Sequence, residues 1–472
     1  MVINKDIFRG YDIRGIVGTD LTVDVYYSFG RGYAEFLRRR RIKTCTVGRD
    51  NRLSSEGFSQ AFIRGLNDSG IETIDLGLSL SQIVYFSAYR YLTKGTAMIT
   101  ASHNPKEYNG LKLGTGYSET TVTEELQELR EIIQKDIFPT GQGKNRQDDI
   151  FPQYLNHVTS YFSLNKKWRL VVDAGNSTSG IFYPQIFRKL GLTVIEQNCT
   201  PDSHFPLGTP DPTDIKIPHR LADRVLAEKA DLGFAYDADG DRMAVVDHTG
   251  NVHWMDIMVA LFAKDVLEYL PGSQIIYNNL CSKVVPQTIE SNGGIPLMWK
   301  TGHSFIKEKI KETRSPLGGE LSGHFFFMDN FFGHDDAAYA SLRLLSYLER
   351  KGTSLNEEVS QLLPQYISSP EIKLGCPDDV KFSLINGPVK DELSNFFPKA
   401  SVNTLDGIRL DGVDFTVVIR ASQNAPYITV RFESMTKEEY QEIKRELYIL
   451  LKKHSQIDWA VGVNQEVLSD NY

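Results

Sequence analysis

"VGRDNRLSS", residues 47–55, is the stretch from which the fold can be deduced, because its pattern returns twice further along the chain. The later copies are "VVDAGNSTSG", residues 171–180, and "IIYNNLCSK", residues 275–283. Each combines a short apolar strand, a polar turn and a helix start that carries serine. Repeated strand–turn–helix units are typical of related α/β modules. The sequence therefore predicts three related α/β units with mixed sheets.

Strand and helix patterns alternate around the first of these stretches. Apolar runs of strand length, at residues 42–48, 71–76 and 96–99, alternate with helical patterns at residues 55–68 and 81–92. This alternation favours a layered α/β domain with crossover helices. A polar stretch, residues 141–149, is expected to separate this unit from the next.

Beyond about residue 365 the pattern changes. Two strand patterns, residues 415–420 and 427–432, flank a loop, and a charged helical pattern covers residues 437–453. Strands and helices that follow one another without strict alternation are typical of α+β domains. The sequence therefore predicts a smaller C-terminal α+β domain.

Composition limits the classes of protein to which the chain can belong. Its 472 residues exceed what one hydrophobic core usually serves, and a net charge of −8 argues against a general nucleic-acid binder. The four cysteines form no CxxC pair, charges interrupt the N-terminal stretch, and no apolar run approaches the ~18 residues of a membrane span. We therefore expect a cytoplasmic protein that binds neither nucleic acid nor a membrane.

The stretch "ITASHNPKEYNG", residues 99–110, places Ser102, His103 and Asn104 directly after an apolar strand. One interpretation is a turn, because Asn-Pro is good turn chemistry and Pro105 cannot continue a strand. The other is that Ser102 is presented at a strand end to accept and donate a group. The pattern alone leaves both open.

A second stretch, "FAYDADGDRMAVV", residues 234–246, alternates Asp237, Asp239 and Asp241 between two apolar strands. Three carboxylates at this spacing can converge on one hard cation such as Mg²⁺. An EF-hand is excluded because Arg242 and His248 occupy the places of its glycine and its last glutamate. A solvated acidic hairpin is the alternative, but without a cation its three like charges repel one another.

Three weaker stretches complete the set. "GGELSGHFFF", residues 318–327, and "KTGHS", residues 300–304, offer groups that can bind a polyol or move a proton, although turns and helix caps explain such stretches as well. "IRASQNAP", residues 419–426, lies between two strand patterns and can hold a phosphate. The sequence contains no G-x-S-x-G pattern, P-loop or Rossmann fingerprint.

Taken together, these stretches resemble the α-D-phosphohexomutase superfamily, most nearly its bacterial bifunctional phosphomannomutase/phosphoglucomutase branch. "TASHNP" is similar to the phosphoserine loop of that family, "DADGDR" to its metal loop, "GELSGH" to its sugar loop and "RASQNAP" to its phosphate loop. The likeness covers essentially the whole chain in the right order, with further matches at "YDIRG", "YNGLK" and "FGHDDAAY".

The resemblance implies four domains around a central cleft. They are a phosphoserine-bearing α/β domain at residues 1–148, a metal-binding α/β domain at 149–250, a sugar-binding α/β domain at 251–363 and a phosphate-binding α+β domain at 364–472. It also implies an isomerase, a monomer or weak homodimer, that interconverts hexose 1-phosphates and hexose 6-phosphates of mannose or glucose. The phosphoserine enzyme passes through a hexose 1,6-bisphosphate, which also serves as activator.

The resemblance further implies a role for each matching residue. Ser102 carries the phosphoryl group, and its phosphate binds one Mg²⁺ together with Asp237, Asp239 and Asp241. Charge around the transferring group is neutralised by Arg14, Lys112 and Arg242. On the sugar side lie Glu320, Ser322, His303 and His324, with His303 as a possible proton shuttle. The remaining substrate contacts are Tyr11, Arg420, Ser422, Gln423 and Asn424.

Two departures from the family pattern concern the substrate rather than the phosphoserine. Leu280 replaces a lysine on the ligand side, and the loop at residues 420–426 lacks the two threonines of the branch. These changes predict weak substrate binding. The alternatives are a phosphoglucosamine mutase, whose phosphate loop matches less well, and a sugar-phosphate-binding protein with weakened catalysis. The second does not need Ser102 or the three aspartates.

Overall fold

The computed structural model describes residues 3–362 and 364–469, and its first unit contains the helices and strands that the apolar runs predict. After a 3₁₀ turn at Lys5–Ile7, the elements are β1 (Ile13–Ile16), α1 (Val23–Arg39), β2 (Thr44–Arg49), α2 (Ser55–Asp68), β3 (Glu72–Leu78), α3 (Ser81–Tyr91), β4 (Gly95–Ile99), β5 (Tyr108–Gly116), β6 (Glu119–Thr120), α4 (Thr123–Lys135) and β7 (Asn145–Gln147). The sheet order is β1-β5-β4-β2-β3-β7, with β6 paired to β5.

The second unit repeats the alternation of strands and helices. It contains α5 (Phe151–Ser160), β8 (Arg169–Asp173), α6 (Ser179–Lys189), β9 (Thr193–Gln197), α7 (Lys216–Glu228), β10 (Leu232–Tyr236), β11 (Met243–Asp247) and β12 (Val252–His253). Its strands form one sheet in the order β12-β11-β10-β8-β9.

The third unit follows directly. It contains α8 (Met255–Tyr269), β13 (Gln274–Asn278), α9 (Val284–Ser291), β14 (Ile295–Trp299), α10 (His303–Thr313), β15 (Leu317–Gly319), β16 (Phe325–Phe327), α11 (Ala337–Lys351) and α12 (Leu355–Ser360). The sheet order is β14-β13-β15-β16.

All three sheets contain the same four-strand pattern. Three neighbouring strands are parallel, and a fourth pairs antiparallel with the last of them: β3-β2-β4-β5, β9-β8-β10-β11 and β14-β13-β15-β16. The three stretches that opened the sequence analysis each span the end of the second strand in these orders. The prediction of three related α/β units with mixed sheets is confirmed.

The C-terminal unit is built differently. It contains β17 (Ile367–Ser368), β18 (Ile372–Gly375), α13 (Lys381–Leu384), a π-helical turn (Ile385–Val389), α14 (Lys390–Phe396), β19 (Ser401–Asn403), β20 (Ile408–Asp411), β21 (Phe415–Ala421), β22 (Tyr427–Ser434), α15 (Lys437–Lys452), β23 (Asp458–Val463) and α16 (Glu466–Ser469). Its strand pairs are all antiparallel. An α+β domain is therefore confirmed.

One apolar core extends through the first three units, and the first and fourth units each also surround a buried cluster of their own. Val84 of α3, Phe234 of β10 and Leu345 of α11 belong to a single buried cluster. The fourth unit meets the others through Val418, which belongs to the shared core, and through polar contacts such as Lys373 Nζ to Asp211 Oδ2 at 2.7 Å. The shared core holds the sheet edges of three units close together, which is what a site built from several loops requires.

The polar stretch at residues 141–149 is not only a separator. Residues 145–147 form β7, which pairs parallel with β3 at the sheet edge, and its side chains are exposed. Backbone pairing does not require apolar side chains, so the hydrophobic pattern misses such an edge strand. The domain bounds stay a prediction; Leu363 at one of them lies outside the described residues, as do residues 1–2 and 470–472 of the terminal domains.

Two further expectations can be compared with the structure. None of the helices formed by the described residues has the length and apolar character needed to cross a bilayer. All four cysteines belong to the described part of the chain, and each is a buried free thiol.

Candidate active site

Three loops of the first three units occupy the same topological position, between the last parallel strand and its antiparallel neighbour. The serine loop (residues 100–107) joins β4 to β5, the acidic loop (237–242) joins β10 to β11, and the Glu320 loop (320–324) joins β15 to β16. The carboxyl ends of parallel strands lie at one edge of a sheet. Each unit therefore presents its loop at the same edge, and the serine loop and the Glu320 loop both contact the acidic loop.

Ser102 is held in the serine loop with its hydroxyl directed at the acidic loop. Its backbone φ is +47°, a left-handed conformation that a non-glycine residue adopts at a cost. Ser102 Oγ donates to Asp237 Oδ2 at 2.6 Å and lies 3.1 Å from His103 Nδ1. The residue is 1% exposed. Ser102 therefore belongs to a buried polar site, and the turn interpretation does not account for these contacts.

The acidic loop brings three buried carboxylates together. The ligand oxygens of Asp237, Asp239 and Asp241 lie within 4.8 Å of one another, and all three residues are fully buried. Asp239 Oδ1 and Asp241 Oδ1 have no hydrogen-bond partner. Burial and the two neighbouring carboxylates raise the pKa of Asp237 well above its usual value. Buried carboxylate oxygens without partners fit a hard divalent cation such as Mg²⁺, which relieves this repulsion.

Lys112 and Arg242 supply positive charge at the same loop. Lys112 Nζ lies 2.7 Å from Asp239 Oδ2 and also pairs with Asp241 Oδ2. Burial would raise the pKa of Asp241, but Lys112 and His324 outweigh it and hold that pKa well below its usual value. The Arg242 backbone N–H donates to Asp237 Oδ1 at 3.2 Å. Asp237 and Asp241 raise the pKa of Arg242 against the effect of burial, so the side chains of Lys112 and Arg242 both compensate negative charge beside Ser102.

Arg14 reaches the serine loop from β1. Its guanidinium donates to the backbone carbonyl of Ala101 and to Asn104 Oδ1 at 3.1 Å, and it pairs with Asp12 Oδ2 at 2.8 Å. Arg14 is 2% exposed. The family resemblance predicts Arg14 as a cation near the transferring group, and the structure places it against the residues that flank Ser102.

The Glu320 loop faces the acidic loop. Glu320 Oε1 accepts from the backbone N–H of Gly302 at 2.7 Å, and Glu320 Oε2 lies 2.9 Å from His324 Nδ1. Ser322 Oγ lies 3.0 Å from the same ring nitrogen. Arg242 Nε lies 3.3 Å from His324 Nε2, which links the two loops. Burial and Arg242 would lower the pKa of His324, but Asp241 and Glu320 raise it to about 9.

His303 begins α10 and has a different character. Its ring nitrogens lie 3.5 Å from Asp12 Oδ2 and 3.6 Å from Asp335 Oδ2, and neither makes a hydrogen bond. Burial and the cation of Lys307 lower the pKa of His303. Tyr11 packs edge-on against it, with ring centroids 4.8 Å apart. His303 is therefore a buried, neutral imidazole with both nitrogens free of hydrogen bonds.

The Arg420 loop, residues 420–426, is less closely tied to the other three. Arg420 Nε pairs with Asp406 Oδ2 at 2.9 Å, and Ser422 Oγ accepts from the backbone N–H of Asn424 at 3.2 Å. Its link to the first unit is the Gly10 N–H, which donates to the carbonyl of Gln423 at 3.2 Å. These predicted residues therefore cluster with each other and next to Tyr11, but the structure does not join them to Ser102.

Leu280 is confined to the interior. It is 1% exposed and belongs to the same apolar cluster as Leu321 of the Glu320 loop. An apolar side chain there supplies no charge to a substrate. The prediction that this departure weakens substrate binding stays a prediction.

Several polar residues at the site were missed by the sequence analysis. Asp12 lies inside the quoted "YDIRG", Arg52 inside "VGRDNRLSS" and Asp335 inside "FGHDDAAY". These stretches were identified in the sequence, but no role was predicted for the three side chains. The sequence stretch assigns no role to His103, whose Nδ1 lies 3.1 Å from Ser102 Oγ. Lys307, which pairs with Asp335 at 3.0 Å, lies in an ordinary amphipathic helix, and no local signal distinguishes it.

Comparison with protein families and curated proteins gives consistent matches. The descriptions Phosphoglucomutase/phosphomannomutase, alpha/beta/alpha domain I, II and III match residues 5–140, 152–250 and 254–366. A Phosphomannomutase/phosphoglucomutase from Pseudomonas aeruginosa is 40% identical over 438 residues, which cover 93% of this chain and 94% of its own. A Phosphoglucomutase from Neisseria meningitidis serogroup A is 36% identical over 468 residues, covering 97% and 99%.

Solved structures agree with these matches. A Phosphoglucomutase/phosphomannomutase family protein from Burkholderia thailandensis has a TM-score of 0.85 at 34% identity and covers 96% of this chain and 98% of its own. An N-acetylphosphoglucosamine mutase from Aspergillus fumigatus, in complex with GlcNAc-6P and magnesium, has a TM-score of 0.58 at 13% identity, covers 91% and 92%, and shares the fold alone. From its three domain matches and its relatives of 36% and 40% identity, the chain belongs to the phosphoglucomutase/phosphomannomutase family.

Proposed function

We propose that this protein reversibly interconverts hexose 1-phosphate and hexose 6-phosphate of mannose, glucose or both, using Ser102 as the phosphoryl carrier. The observation that carries the proposal is the 2.6 Å contact between Ser102 Oγ and Asp237 Oδ2, inside a buried group of three carboxylates. A serine held against metal-binding carboxylates is suited to phosphoryl transfer. The printed names of the relatives, phosphomannomutase and phosphoglucomutase, support the hexose class.

The residues that would hold Mg²⁺ are Asp237, Asp239 and Asp241, together with the phosphate on Ser102. A bound Mg²⁺ neutralises negative charge on the phosphoryl oxygens. Lys112 and Arg242 contribute permanent positive charge at the same loop, and Arg14 does so from the opposite side of Ser102. Positioning and charge compensation are the main demands of phosphoryl transfer, and these side chains meet both.

The reaction consists of two transfers in opposite directions. In the first, a free hydroxyl oxygen of the hexose phosphate bonds to the phosphorus on Ser102, the bond between Ser102 Oγ and phosphorus breaks, and a hexose 1,6-bisphosphate forms. In the second, the bisphosphate presents its other phosphate, and Ser102 Oγ becomes the attacking oxygen. The enzyme ends in the phosphorylated form, so a bisphosphate also activates unphosphorylated protein.

Each transfer takes a proton from the attacking hydroxyl and delivers a proton to the leaving oxygen, so a group on the sugar side that accepts a proton in the first transfer returns one in the second. His303 can accept the proton on the sugar side, since burial keeps its imidazole neutral and both ring nitrogens lack hydrogen bonds. His324 is the second imidazole on the sugar side, and its ring is already engaged by Glu320 and Arg242. We assign the proton-accepting role to His303 because its ring nitrogens have no hydrogen-bond partner, whereas those of His324 are engaged.

Sugar and phosphate are recognised by different loops. Glu320 and Ser322 bind the 3- and 4-hydroxyls, which glucose and mannose share, so either sugar is accepted in either orientation. Tyr11 lines the cleft beside His303. The second phosphate is bound by Arg420 and Ser422, with the amides of Gln423 and Asn424 as further donors. The protein acts on these small molecules as a monomer or weak homodimer.

A mutase assay tests the proposal. Mannose 1-phosphate, glucose 1-phosphate and glucosamine 1-phosphate are each supplied with Mg²⁺ and a catalytic amount of hexose bisphosphate, and formation of the 6-phosphate is followed. We expect turnover of mannose or glucose phosphate and phosphate on Ser102 by peptide mass mapping. Turnover of glucosamine phosphate alone would favour the phosphoglucosamine alternative. Binding of substrate without any turnover would favour the sugar-phosphate-binding alternative.

A further inference from the structure

The turns that follow the second strand of the three sheet patterns have the same length. β2 ends at Arg49 and α2 begins at Ser55, so the first repeat turn is residues 50–54. The other two, residues 174–178 and 279–283, are bounded by β8 and α6 and by β13 and α9. The third residue of each turn is Arg52, Asn176 and Cys281, respectively. Of these three, the first alone is a cation, and it belongs to the unit that carries the serine loop.

Arg52 is buried and directed at the main chain of the serine loop. It is 3% exposed. Its two terminal nitrogens donate to four carbonyl oxygens, those of Ser102 at 2.6 Å, Asn104 at 2.6 Å, Pro105 at 2.8 Å and Tyr108 at 3.1 Å. One planar guanidinium therefore satisfies four backbone carbonyl groups of the serine loop and the start of β5.

Asp50 of the same turn completes this support. It pairs with Arg52 Nε at 3.2 Å and accepts from Thr100 Oγ1 at 2.7 Å. Thr100 Oγ1 in turn accepts from the backbone N–H of Ser102 at 2.8 Å. The left-handed backbone of Ser102 is thus held at its carbonyl by Arg52 and, through Thr100, at its N–H by Asp50.

The other units use the corresponding region in the same way but without charge. Ser179, which begins α6, donates through Oγ to the carbonyl of Asp237 at 2.6 Å. Asn278, which ends β13, accepts through Oδ1 from the backbone N–H of Leu321 at 3.1 Å. In each unit, groups at or beside the repeat turn hold the functional loop after the last parallel strand. The serine loop is the one whose support is a fully buried arginine.

The first and second repeat turns also contact each other. The backbone N–H of Asn51 donates to Thr178 Oγ1 at 2.8 Å, and Thr178 Oγ1 lies 2.9 Å from Asn51 Oδ1. Ser179, next to Thr178, supports Asp237, and Asp237 accepts from Ser102. A closed series of contacts therefore runs from Ser102 through the two turns to Asp237 and back to Ser102.

We propose that Arg52 is a positioning residue that fixes Ser102 against the acidic loop, with the contact between Asn51 and Thr178 setting the distance between the two loops. This role rests on the proposed function. Arg52 touches backbone carbonyls and Asp50 rather than the reacting atoms, so it acts through the serine loop. A displacement of about 1 Å at reacting atoms can cost about 10² in rate, so the loop carbonyls need a support with fixed geometry.

The decisive variant is Arg52→Lys, which keeps the charge but cannot reproduce a planar fork over four carbonyls. Arg49→Lys is the matched control, because Arg49 ends the same strand and its nearest carboxylate, Glu56, is 3.7 Å away. We expect kcat to fall about tenfold or more in Arg52→Lys with KM changed less than about threefold, as for lost transition-state alignment. Hydrogen exchange of the peptide covering residues 100–108 should accelerate in Arg52→Lys and not in Arg49→Lys.

A second variant, Thr178→Val, removes the two hydrogen bonds between Asn51 and Thr178 while keeping the side-chain shape, and leaves the bond from Asn51 Nδ2 to the carbonyl of Asn176 at 3.2 Å. It should lower kcat in the same direction by about three- to tenfold, the effect of roughly 1 kcal/mol, with KM again nearly constant. If Arg52→Lys fails to fold, the kcat of Thr178→Val tests whether contacts of the repeat turns position Ser102. A kcat within twofold of the parent protein in every variant that folds overturns the proposal, as does a loss of activity that only follows the loss of folded protein.

The exchange measurement separates this proposal from the proposed function. It needs no turnover, so a parent protein without mutase activity would overturn the proposed function while the exchange rates still decide whether Arg52 orders the serine loop. Unchanged exchange in Arg52→Lys together with normal mutase activity would overturn the positioning role alone.

Discussion

The serine loop and the Arg420 loop differ in how many parts of the molecule hold them. The serine loop is bonded by Arg14 from β1, by Arg52 from the first repeat turn and by Asp237 from the second unit. The Arg420 loop is held mainly by its own unit, in which Lys381 Nζ donates to the carbonyl of Ala425 at 2.8 Å. The serine loop is thus bonded by side chains from several parts of the molecule, whereas the outside contacts of the Arg420 loop are the Gly10 N–H and, through Asp406, the backbone N–H of Thr301 at 3.0 Å.

This difference suits a reaction in which the substrate must turn around. The transferring group needs one fixed geometry, because alignment of the reacting atoms determines the rate. In the proposed reaction the distal site accepts a phosphate from either end of the sugar, and a loop on a separate unit with few outside contacts is an advantage for that role. Five predictions test this contrast, from the largest expected effect to the smallest.

Ser102→Ala should abolish phosphoryl transfer at the serine loop. Turnover should fall by about 10³-fold or more, since a covalent mechanism loses its nucleophile while substrate binding persists. The melting temperature should stay close to that of the parent protein. Ser118→Ala is a matched control, because Ser118 is also a serine with a positive φ, +57°, and it contacts His334 rather than the acidic loop. Near-normal turnover of Ser102→Ala would contradict the mechanism.

Asp239→Asn should weaken the response to Mg²⁺ by about 10- to 100-fold, the effect of losing one charged contact of roughly 1.5–3 kcal/mol. Activity is titrated with Mg²⁺ after chelation, and metal binding is measured separately by calorimetry. Asp223→Asn, an exposed carboxylate on α7, serves as the control. If chelation removes turnover but leaves the melting transition in place, the ion is catalytic. Full activity of Asp239→Asn without added metal would contradict the site.

Glu320→Ala should lower kcat/KM for mannose and glucose phosphates in parallel, by about tenfold or more for the loss of a charged hydrogen bond. The two sugars differ at C2, away from the hydroxyls assigned to Glu320. The ratio of the two kcat/KM values is the measurement, so that general damage to the protein cancels. Loss of one sugar with the other spared would refute the assignment.

Rebuilding the Arg420 loop tests how well its present residues bind phosphate. Gln423→Asn, Asn424→Thr and Ala425→Thr together should lower KM by about tenfold, because they restore hydroxyl donors to the phosphate, with a smaller effect on kcat. Steady-state kinetics with mannose 1-phosphate and glucose 1-phosphate measure both constants. A KM that is unchanged or higher would mean that the present residues already bind phosphate well, and that the preferred substrate differs from an ordinary hexose phosphate.

The last prediction concerns the pH dependence of stability, which the buried carboxyl group of Asp336 should control. Burial raises its pKa from 3.8 to about 7, so the folded protein favours the neutral acid. This contribution to stability is complete below pH 3.8 and is lost as pH rises through about 7. Asp336→Asn keeps the shape and cannot ionise, so its unfolding free energy relative to the parent should improve over that window.

The expected improvement is a few kcal/mol at most, because one pKa unit corresponds to about 1.4 kcal/mol. Denaturant unfolding of both proteins at several pH values between 4 and 8 measures the difference, and KM should not change. A constant difference between the two proteins across this range would show that Asp336 is not the titrating group.

Much of the site was predictable because its residues occur in short local stretches. Ser102 after β4, the three aspartates between β10 and β11, and Glu320 between β15 and β16 all follow apolar strands, where polar groups must lie at a sheet edge. The partners of these residues were harder to predict. Ser102 and Asp237 are 135 residues apart, and no spacing rule relates positions on different domains.

The sequence by itself determined three repeated α/β units, a different C-terminal domain and the polar loops that follow the apolar strands. These follow from hydrophobic periodicity and turn residues, which act over a few neighbouring positions. Only the tertiary structure decided that Arg52 holds the serine loop, that His303 and His324 have opposite pKa shifts and that the Arg420 loop is loosely held. Burial, long-range hydrogen bonds and the fields of neighbouring charges arise only when distant segments pack together.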